Sequence, residues 1–406
     1  MKANRRAVLS LLHRNDSPDR ILPERWEFTP PGNMRIVDVR TAEGLEAHAD
    51  AWAELLLQST AASPMLSYPW MSAFFETKVL PSETWLCLFA YDGERLLGVL
   101  PLLAVNSFRA FGLTLLCFKT PFNLSHTSAV DCLTLRGRED VLELFVDYLS
   151  HIPRTWPLIR FREMPENSPS MLYMKRRGRK LQALQGVTGC ENYIPIPDEY
   201  EKYNSGLSSG FRRQLRNRTR KLEKLEDVRF LCRENARSPA ENMKRFEETE
   251  DSSWKGAANS SLKAVGGDSK LHAIAAERFQ RHGWMEWNFL ETGDKTIGAQ
   301  YGIRINRTLY LLKIGYDQEF AFCTPGNLLF NKAVENACAA GDVDEINCVS
   351  NSAWHKNWAT TGRLLYDLIV LPRIPLLSAL LCRVLNSKSI RKRLWKAPQY
   401  ESGGGT

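Results

Sequence analysis

The chemistry this chain advertises lies in its main chain. Thr324-Pro325-Gly326-Asn327 stands between an apolar, extended-friendly run (Leu309 to Ile314, then Gly315) and a stretch in which Phe330, Val334 and Ala337 recur at helical spacing. Thr324 suits an N-cap and Pro325 the first helical position, where proline's missing N–H is not needed. Gly326 removes the side chain that would shield the amides after it. A helix start ordinarily draws Asp or Glu to the positive end of its dipole, and none lies between Gly326 and Phe330. The N–H groups of Gly326, Asn327 and Leu328 are therefore expected to face an anion, most simply a pyrophosphate. The same pattern also fits an ordinary capped helix solvated by water.

The elements around this turn come twice. In the first half a strand (Arg35 to Val39) precedes helices at Leu45 to Leu57 and around Phe74. A hairpin follows (Trp85 to Tyr91, an Asp92-Gly93 turn, Leu96 to Leu103), then strands near Phe111 to Phe118 and Val130 to Leu135, a helix at Val141 to Leu149, and a strand at Leu158 to Phe161. The second half has a helix at Ser269 to Arg281, a strand at Met285 to Leu290, a Gly293-Asp294 turn and a return strand from Thr296 to Ile305. The strand and helix about Pro325 come next, then strands at Glu345 to Val349 and Leu364 to Leu371. This order predicts two structurally similar α+β units.

Bulk properties narrow the field. The 406 residues supply material for two domains, and Lys plus Arg exceed Asp plus Glu by 54 − 46 = 8, a mildly basic balance that favours anionic ligands. Nine cysteines (87, 117, 132, 190, 232, 323, 338, 348 and 382) form no CxxC pair and no Cys/His set with zinc spacing, which argues for reduced thiols and against a disulfide scaffold or a metal site. No stretch is long enough to span a bilayer, and the apolar run after Lys2, Arg5 and Arg6 is too short for a signal peptide. A cytoplasmic protein is expected, with the inner membrane surface as a site of peripheral contact.

Two basic segments flank the second half. Leu207 to Leu225, opened by Ser208-Ser209, reads as a helix with Phe211, Leu215, Leu222 and Leu225 on one face and Arg212, Arg213, Arg216, Arg220, Lys221 and Lys224 on the rest. It fits a solvated face, or a cradle for a phosphate-bearing ligand. No aromatic residue interleaves the charges, which counts against nucleic-acid stacking. The tail combines Ile374 to Leu385 with Arg391, Lys392, Arg393 and Lys396, a composition suited to an acidic membrane surface or to a plain helix with a basic end.

Four stretches in order, ETEDSSWKG (Glu248 to Gly256), TIGAQYGIRI, LYLLKIGYDQEFAFCTPGNLL and SAWHKNW, resemble the cellulose-biosynthesis-type acetyltransferase group of the GNAT superfamily. The matching elements are Ser253-Trp254-Lys255-Gly256, Lys313 with Tyr316-Asp317, Pro325-Gly326, and Lys356 with Trp358. The first half more loosely resembles the amino-terminal half of that group and of Fem-type aminoacyl transferases. Thr324 stands where the group usually has Ser, and Ser350-Asn351 where a Gly-Asp step is common.

The resemblance implies tandem GNAT-like domains, each a mixed, mostly antiparallel sheet flanked by helices, with a splayed central strand pair in the second. The expected layout is a flexible arm (1–33), two domains (34–200 and 201–371) and a basic tail (372–406). It implies acetyl-CoA or another acyl-CoA as co-substrate, without a metal, and a small-molecule or saccharide acceptor at the cell envelope. Amides of Leu311, Leu312, Lys313 and Ile314 would hold the pantetheine and polarise the thioester. Phe322, Cys323, Thr324, Gly326, Asn327 and Leu328 would surround the pyrophosphate. Direct transfer needs a neutral nucleophile, hence a base and an acid. The candidates are Asp317 (with Glu319 beside it), His355, Lys356 and Glu286, with Trp254 and Lys255 lining the cleft. Each has a plainer alternative: Asp317 as a turn cap, His355 as a surface residue, Trp254 as core. Two other readings are a Fem-type transferase using charged tRNA, motivated by the basic helix, and a degenerate GNAT scaffold at the membrane.

Overall fold

The computed structural model describes residues 22–23, 26–60, 62–110, 113–122, 130–153, 155–177, 181–265 and 267–372. Most of the expected N-terminal arm, and the expected basic tail beyond Pro372, lie outside the described residues. The first half contains β1 (Met34–Val39), α1 (Ala42–Glu46), α2 (Ala49–Gln58), α3 (Tyr68–Thr77), β2 (Glu83–Asp92), β3 (Arg95–Ala110), β4 (Leu113–Lys119), β5 (Leu133–Thr134), α4 (Val141–Ser150), β6 (Thr155–Pro165), α5 (Pro169–Arg177) and β7 (Leu181–Pro195). The second contains α6 (Tyr200–Gly206), α7 (Ser209–Leu222), β8 (Val228–Cys232), α8 (Pro239–Asp251), α9 (Trp254–Ala257), α10 (Asp268–Arg281), β9 (Met285–Thr292), β10 (Lys295–Ile305), β11 (Thr308–Tyr316), α11 (Pro325–Ala340), β12 (Glu345–Asn347) and β13 (Thr361–Pro372).

Local chemistry explains the boundaries. Gly93 and Gly293 take positive φ (56° and 55°) in the two-residue turns of the β2–β3 and β9–β10 hairpins, a conformation that suits glycine. Ser208 caps α7 by accepting from the Phe211 amide, and Ser238 with Glu241 forms a capping box at the head of α8. Three expectations need correction. The helix expected over Leu45–Leu57 is two, because the chain breaks at Ala47 and His48. The strand expected over Val130–Leu135 pairs only at Leu133–Thr134, against β3. The strand expected to reach Val349 stops at Asn347, for a reason given with the site.

The strands form one sheet in the order β1-β2-β3-β4-β6-β13-β7-β12-β11-β10-β9-β8, with β5 beside β3. Read inward from either end, each half repeats one series: three antiparallel neighbours, then a parallel pair, β4 with β6 and β11 with β12. The closing strands have changed places. β13 from the second half pairs with β6 of the first, and β7 from the first pairs with β12 of the second. The two run antiparallel together, from Tyr193↔Thr361 to Leu181↔Pro372. A division near residue 200 therefore separates two units that each hold the other's last strand.

Helices cover both faces. On one, α2, α3, α8 and α10 bury Trp52, Trp70, Phe74, Phe246 and Phe279 with Phe89, Trp287 and Tyr301 in a core shared by the halves. Trp70 meets His272 edge-on at 5.3 Å, and Glu76 pairs with Arg278 at 3.0 Å across the same seam. On the other face α4 covers the first half, with Phe145 over Phe118 and Phe161, and α11 covers the second, with Phe330 and Val334 beside Phe211 and Trp358. The architecture is α+β, a mostly antiparallel mixed sheet flanked by helices, as the sequence led us to expect. Among the described residues no helix is long and apolar enough to cross a membrane.

Candidate active site

β11 pairs with β10 from Thr308 to Tyr316, but with β12 only over Thr308, Leu309 and Tyr310. The cause lies in β12. After Asn347 the Cys348 amide turns to the Asn192 carbonyl (2.9 Å). The Val349 amide is then caught by the Asn347 side chain (2.7 Å), which holds Val349 at a φ of 55°. A β-branched residue with positive φ is a true outlier, and here it peels the chain away. Leu311 to Tyr316 consequently have no strand partner on that side among the described residues. Leu311 faces the α11 core, and Leu312 faces the core shared by the halves.

α8 ends against the far part of β11. A Cβ at Gly315 would lie 2.8 Å from Glu250 Cα, so glycine is required for this approach. Glu250, which sequence reasoning missed, is 1% exposed, accepts from Lys255 Nζ (2.8 Å) and from the Leu262 amide (2.8 Å), and so fixes the loop after α9. Lys255 Nζ also donates to the Ile314 carbonyl at 2.7 Å. Lys313 is 8% exposed, and its ammonium makes no hydrogen bond or ion pair among the described residues. Burial depresses it, Glu250 opposes and Lys255 adds to the depression, leaving a pKa of about 8.

The head of α11 lies beside these strands. A Cβ at Gly326 would meet Ile314 and Tyr316 side chains at 3.6 and 3.7 Å. No acid lies in the first turn. Thr324, expected to cap through its side chain, takes a left-handed conformation (φ 50°) and makes no such bond. Its carbonyl accepts from the Asn327 and Leu328 amides at 3.0 and 3.3 Å. Of the three expected open donors, those two are satisfied locally, and the Gly326 amide has no backbone partner among the described residues. The side chains of Leu328 and Cys323 are buried, while Phe322 is 45% exposed. Arg218 and Lys221 of α7 both donate to the Phe322 carbonyl, which brings two cations to the turn that precedes the helix.

The remaining candidates divide. Asp317 is buried, with one oxygen accepting from the Glu319 amide (2.9 Å) and the other ion-paired to Lys295 (2.8 Å), so its carboxylate caps the short turn Gln318–Cys323. His355, expected at the surface or as an acid, is buried with Nδ1 against Asn192 (3.2 Å), and burial pushes it to about 4; it is a neutral packing residue at physiological pH. Lys356 is exposed on the same 3₁₀ turn, and Trp254 is 52% exposed at the start of α9. Glu286 accepts from Arg304 Nε (3.1 Å), and Arg304 also pairs with Asp342 (2.7 Å) just past the end of α11. A helix of 16 residues spans about 24 Å, so Glu286 belongs to an ion network at the end of α11 remote from Gly326.

Residues 209–356 match the family model described as an acetyltransferase (GNAT) domain. Among solved structures, the chain is similar to FemX (10% identity over 82% of this chain and 96% of that one, TM-score 0.54). It is also similar to a conserved protein of unknown function from Bacteroides thetaiotaomicron VPI-5482 (12% identity, 84% and 100%, TM-score 0.50). A tandem GNAT protein from the clavulanic acid biosynthesis pathway aligns at 11% identity over 84% and 99%, with a TM-score of 0.41. At these identities the likeness to the first two concerns the fold. No curated protein matches the chain.

Proposed function

We propose that the protein is an acyltransferase that moves an acyl group from acetyl-CoA or another acyl-CoA directly to an amine or hydroxyl, on a saccharide or other cell-envelope acceptor. The observation that carries this is the juxtaposition of parted strands, β11 and β12, with an acid-free helix head bordered by Arg218 and Lys221, inside the stretch that matches the GNAT domain. The open amide of Gly326 and the two cations suit the donor's diphosphate. The edge of Leu311 to Tyr316 that no strand covers among the described residues, met there by Lys255 at the Ile314 carbonyl, suits its amide-bearing arm and the thioester carbonyl.

In this reading the acceptor's lone pair attacks the carbonyl carbon, the C–S bond breaks, and the thiolate leaves. The proton released by the nucleophile must reach that sulfur. Lys313 suits the transfer, since an amine near pKa 8 both accepts and returns a proton close to neutral pH. Lys255, matched by Glu250, orders the main chain at Ile314. Trp254 and Phe322 supply exposed aromatic surface at the rim.

A second reading has one observation in its favour. Arg213, Arg216, Arg220, Lys221 and Lys224 are exposed along and just past α7, beside the same helix head. Such a stripe also suits a donor carried on charged tRNA. Calorimetric titration with CoA, beside a gel shift with tRNA at physiological salt, separates the two. Saturable CoA binding supports the first; a tRNA shift without CoA binding up to about 1 mM sinks it.

A further inference from the structure

Where β6 meets β13 the register slips. Phe161 opposes Leu368 and Met164 opposes Tyr366, so Arg162 and Glu163 together face Asp367 alone. Such two-against-one bulges re-aim side chains and recur beside binding sites. Glu163 sits in this bulge with a φ of 49°, and its amide is held by Asp367 Oδ1 at 3.0 Å. It is 5% exposed, yet its carboxylate makes no hydrogen bond or ion pair among the described residues. Arg162 is loosely held too. Its Nε makes no hydrogen bond among the described residues, lies 4.0 Å from Asp367 Oδ2, and its guanidinium stacks over Phe122 at 4.2 Å. A left-handed glutamate whose carboxylate finds no partner among the described residues costs stability without a visible return to the fold, a combination that concentrates at ligand sites.

The surroundings define what would fit. Arg160 and Asp367 pair at 2.7 Å, and Arg363 bridges Glu191 (2.9 Å) and Glu345 (2.8 Å). With Arg162, three cations meet three anions, and Glu163 is the extra acid. Burial lifts its carboxyl to about 7, opposed by Arg162 and reinforced by Asp367 and Glu191. The charged row continues across β13 and β7 to Glu345 of β12, two residues before Asn347, where β12 leaves β11. β6 and β12 are three interstrand steps apart, about 15 Å at about 5 Å per step. Asp367 lies six residues along β13 from Thr361, which is level with Tyr193 and Asn347, a further offset of about 20 Å along the strands.

We propose that this bulge is a distal subsite for the acceptor. Glu163 and Arg162 hold a net-neutral polar end group that offers donors to the carboxylate and an oxygen to the guanidinium, at one end of an extended acceptor whose other end carries the reacting atom to the gap beside β12. The naming of the occupant as acceptor rests on the acyltransferase reading; the site itself does not. Two sources share this chemistry, a zwitterionic amino-acid or peptide head and a neutral sugar.

The test titrates wild type and Glu163→Gln with an amino-acid and dipeptide panel in one arm, neutral mono- and disaccharides in the other, and CoA alongside. Glu163→Gln breaks no bond and keeps the shape, so the variant folds, which a melting curve verifies. One arm should bind wild type and lose about tenfold or more in the variant, with CoA affinity unchanged. For an ammonium-bearing ligand, wild-type affinity should climb as pH rises through 7 and stay flat in the variant, a readout that a purely structural glutamate would not produce. Absence of binding in both arms at about 10 mM, or equal binding by the variant, overturns the subsite. Glu163-dependent binding without any CoA binding would sink the acyl-donor reading and leave the subsite standing.

Discussion

Gly326→Asp separates a ligand site from a plain helix start. A Cβ at this position meets Ile314 and Tyr316 at ordinary contact distances of 3.6 and 3.7 Å, so the backbone has room for a small side chain, and Gly326→Ala is the steric control. For the fold, an acid in the first turn gains about 0.3–1 kcal/mol from the helix dipole, set against the burial of this position beside the Ile314 and Tyr316 side chains. For a diphosphate it is adverse. A carboxylate about 4 Å from a phosphate charge costs about 4 kcal/mol at an effective dielectric of 20, or about a thousandfold in Kd. Isothermal titration with CoA, paired with thermal melts, should show wild-type-like binding for Gly326→Ala, loss for Gly326→Asp, and similar melting for all three. A folded Gly326→Asp protein that binds CoA within about threefold of wild type refutes the placement.

Other perturbations carry their own signs. Lys313 is held near 8 when folded and titrates near 10.4 when unfolded, so stability climbs with pH between those values, and below pH 8 the folded state carries the full penalty, at most about 3 kcal/mol. Lys313→Met should therefore raise the melting temperature at pH 7 while slowing transfer by about 100-fold or more; an unchanged rate removes Lys313 from the chemistry. His355 falls from 6.5 to about 4 on folding, so stability should drop as pH falls from 6.5 to 4, by up to about 3 kcal/mol. Denaturant titrations across that range should show a shallower dependence in His355→Asn, and an identical slope assigns the effect elsewhere. Glu250→Ala strands Lys255 and the Leu262 amide, and should cost about 3–5 kcal/mol by urea denaturation; a loss below about 1 kcal/mol would mean the pair is not sealed from water.

Elements with a local signature were legible in the sequence. The Asp92-Gly93 and Gly293-Asp294 turns, the Ser208 cap and the Pro325 helix start each state their geometry within four residues, and the duplicated order of elements followed from them. The central strand was not legible. LQALQGVTGCENYIP in β7 has no apolar alternation, because neighbouring strands rather than a helix-covered face hold it in place. Without β7 the exchange of closing strands could not be inferred. In the site, residue type announced an anion-friendly helix head but not that the Thr324 carbonyl occupies two of its amides, which depends on a left-handed φ. Burial was the other blind spot. His355 and Asp317 look like acid–base groups until their neighbours are known, whereas Glu250 sits inconspicuously in an acidic run and proves to be sealed. Glu163 carried no signal, since its environment is assembled from β6, β7 and β13.

The crossed closing strands have a practical consequence for anyone dissecting the molecule. Expressed alone, a fragment ending near residue 200 leaves β6 with a bare edge where β13 belongs and carries β7 as an unattached ribbon; the complementary fragment has the reverse defect. Bare edges recruit other chains. Each piece alone is thus a template for aggregation, whereas the two supplied together in one cell can trade ribbons and rebuild the sheet.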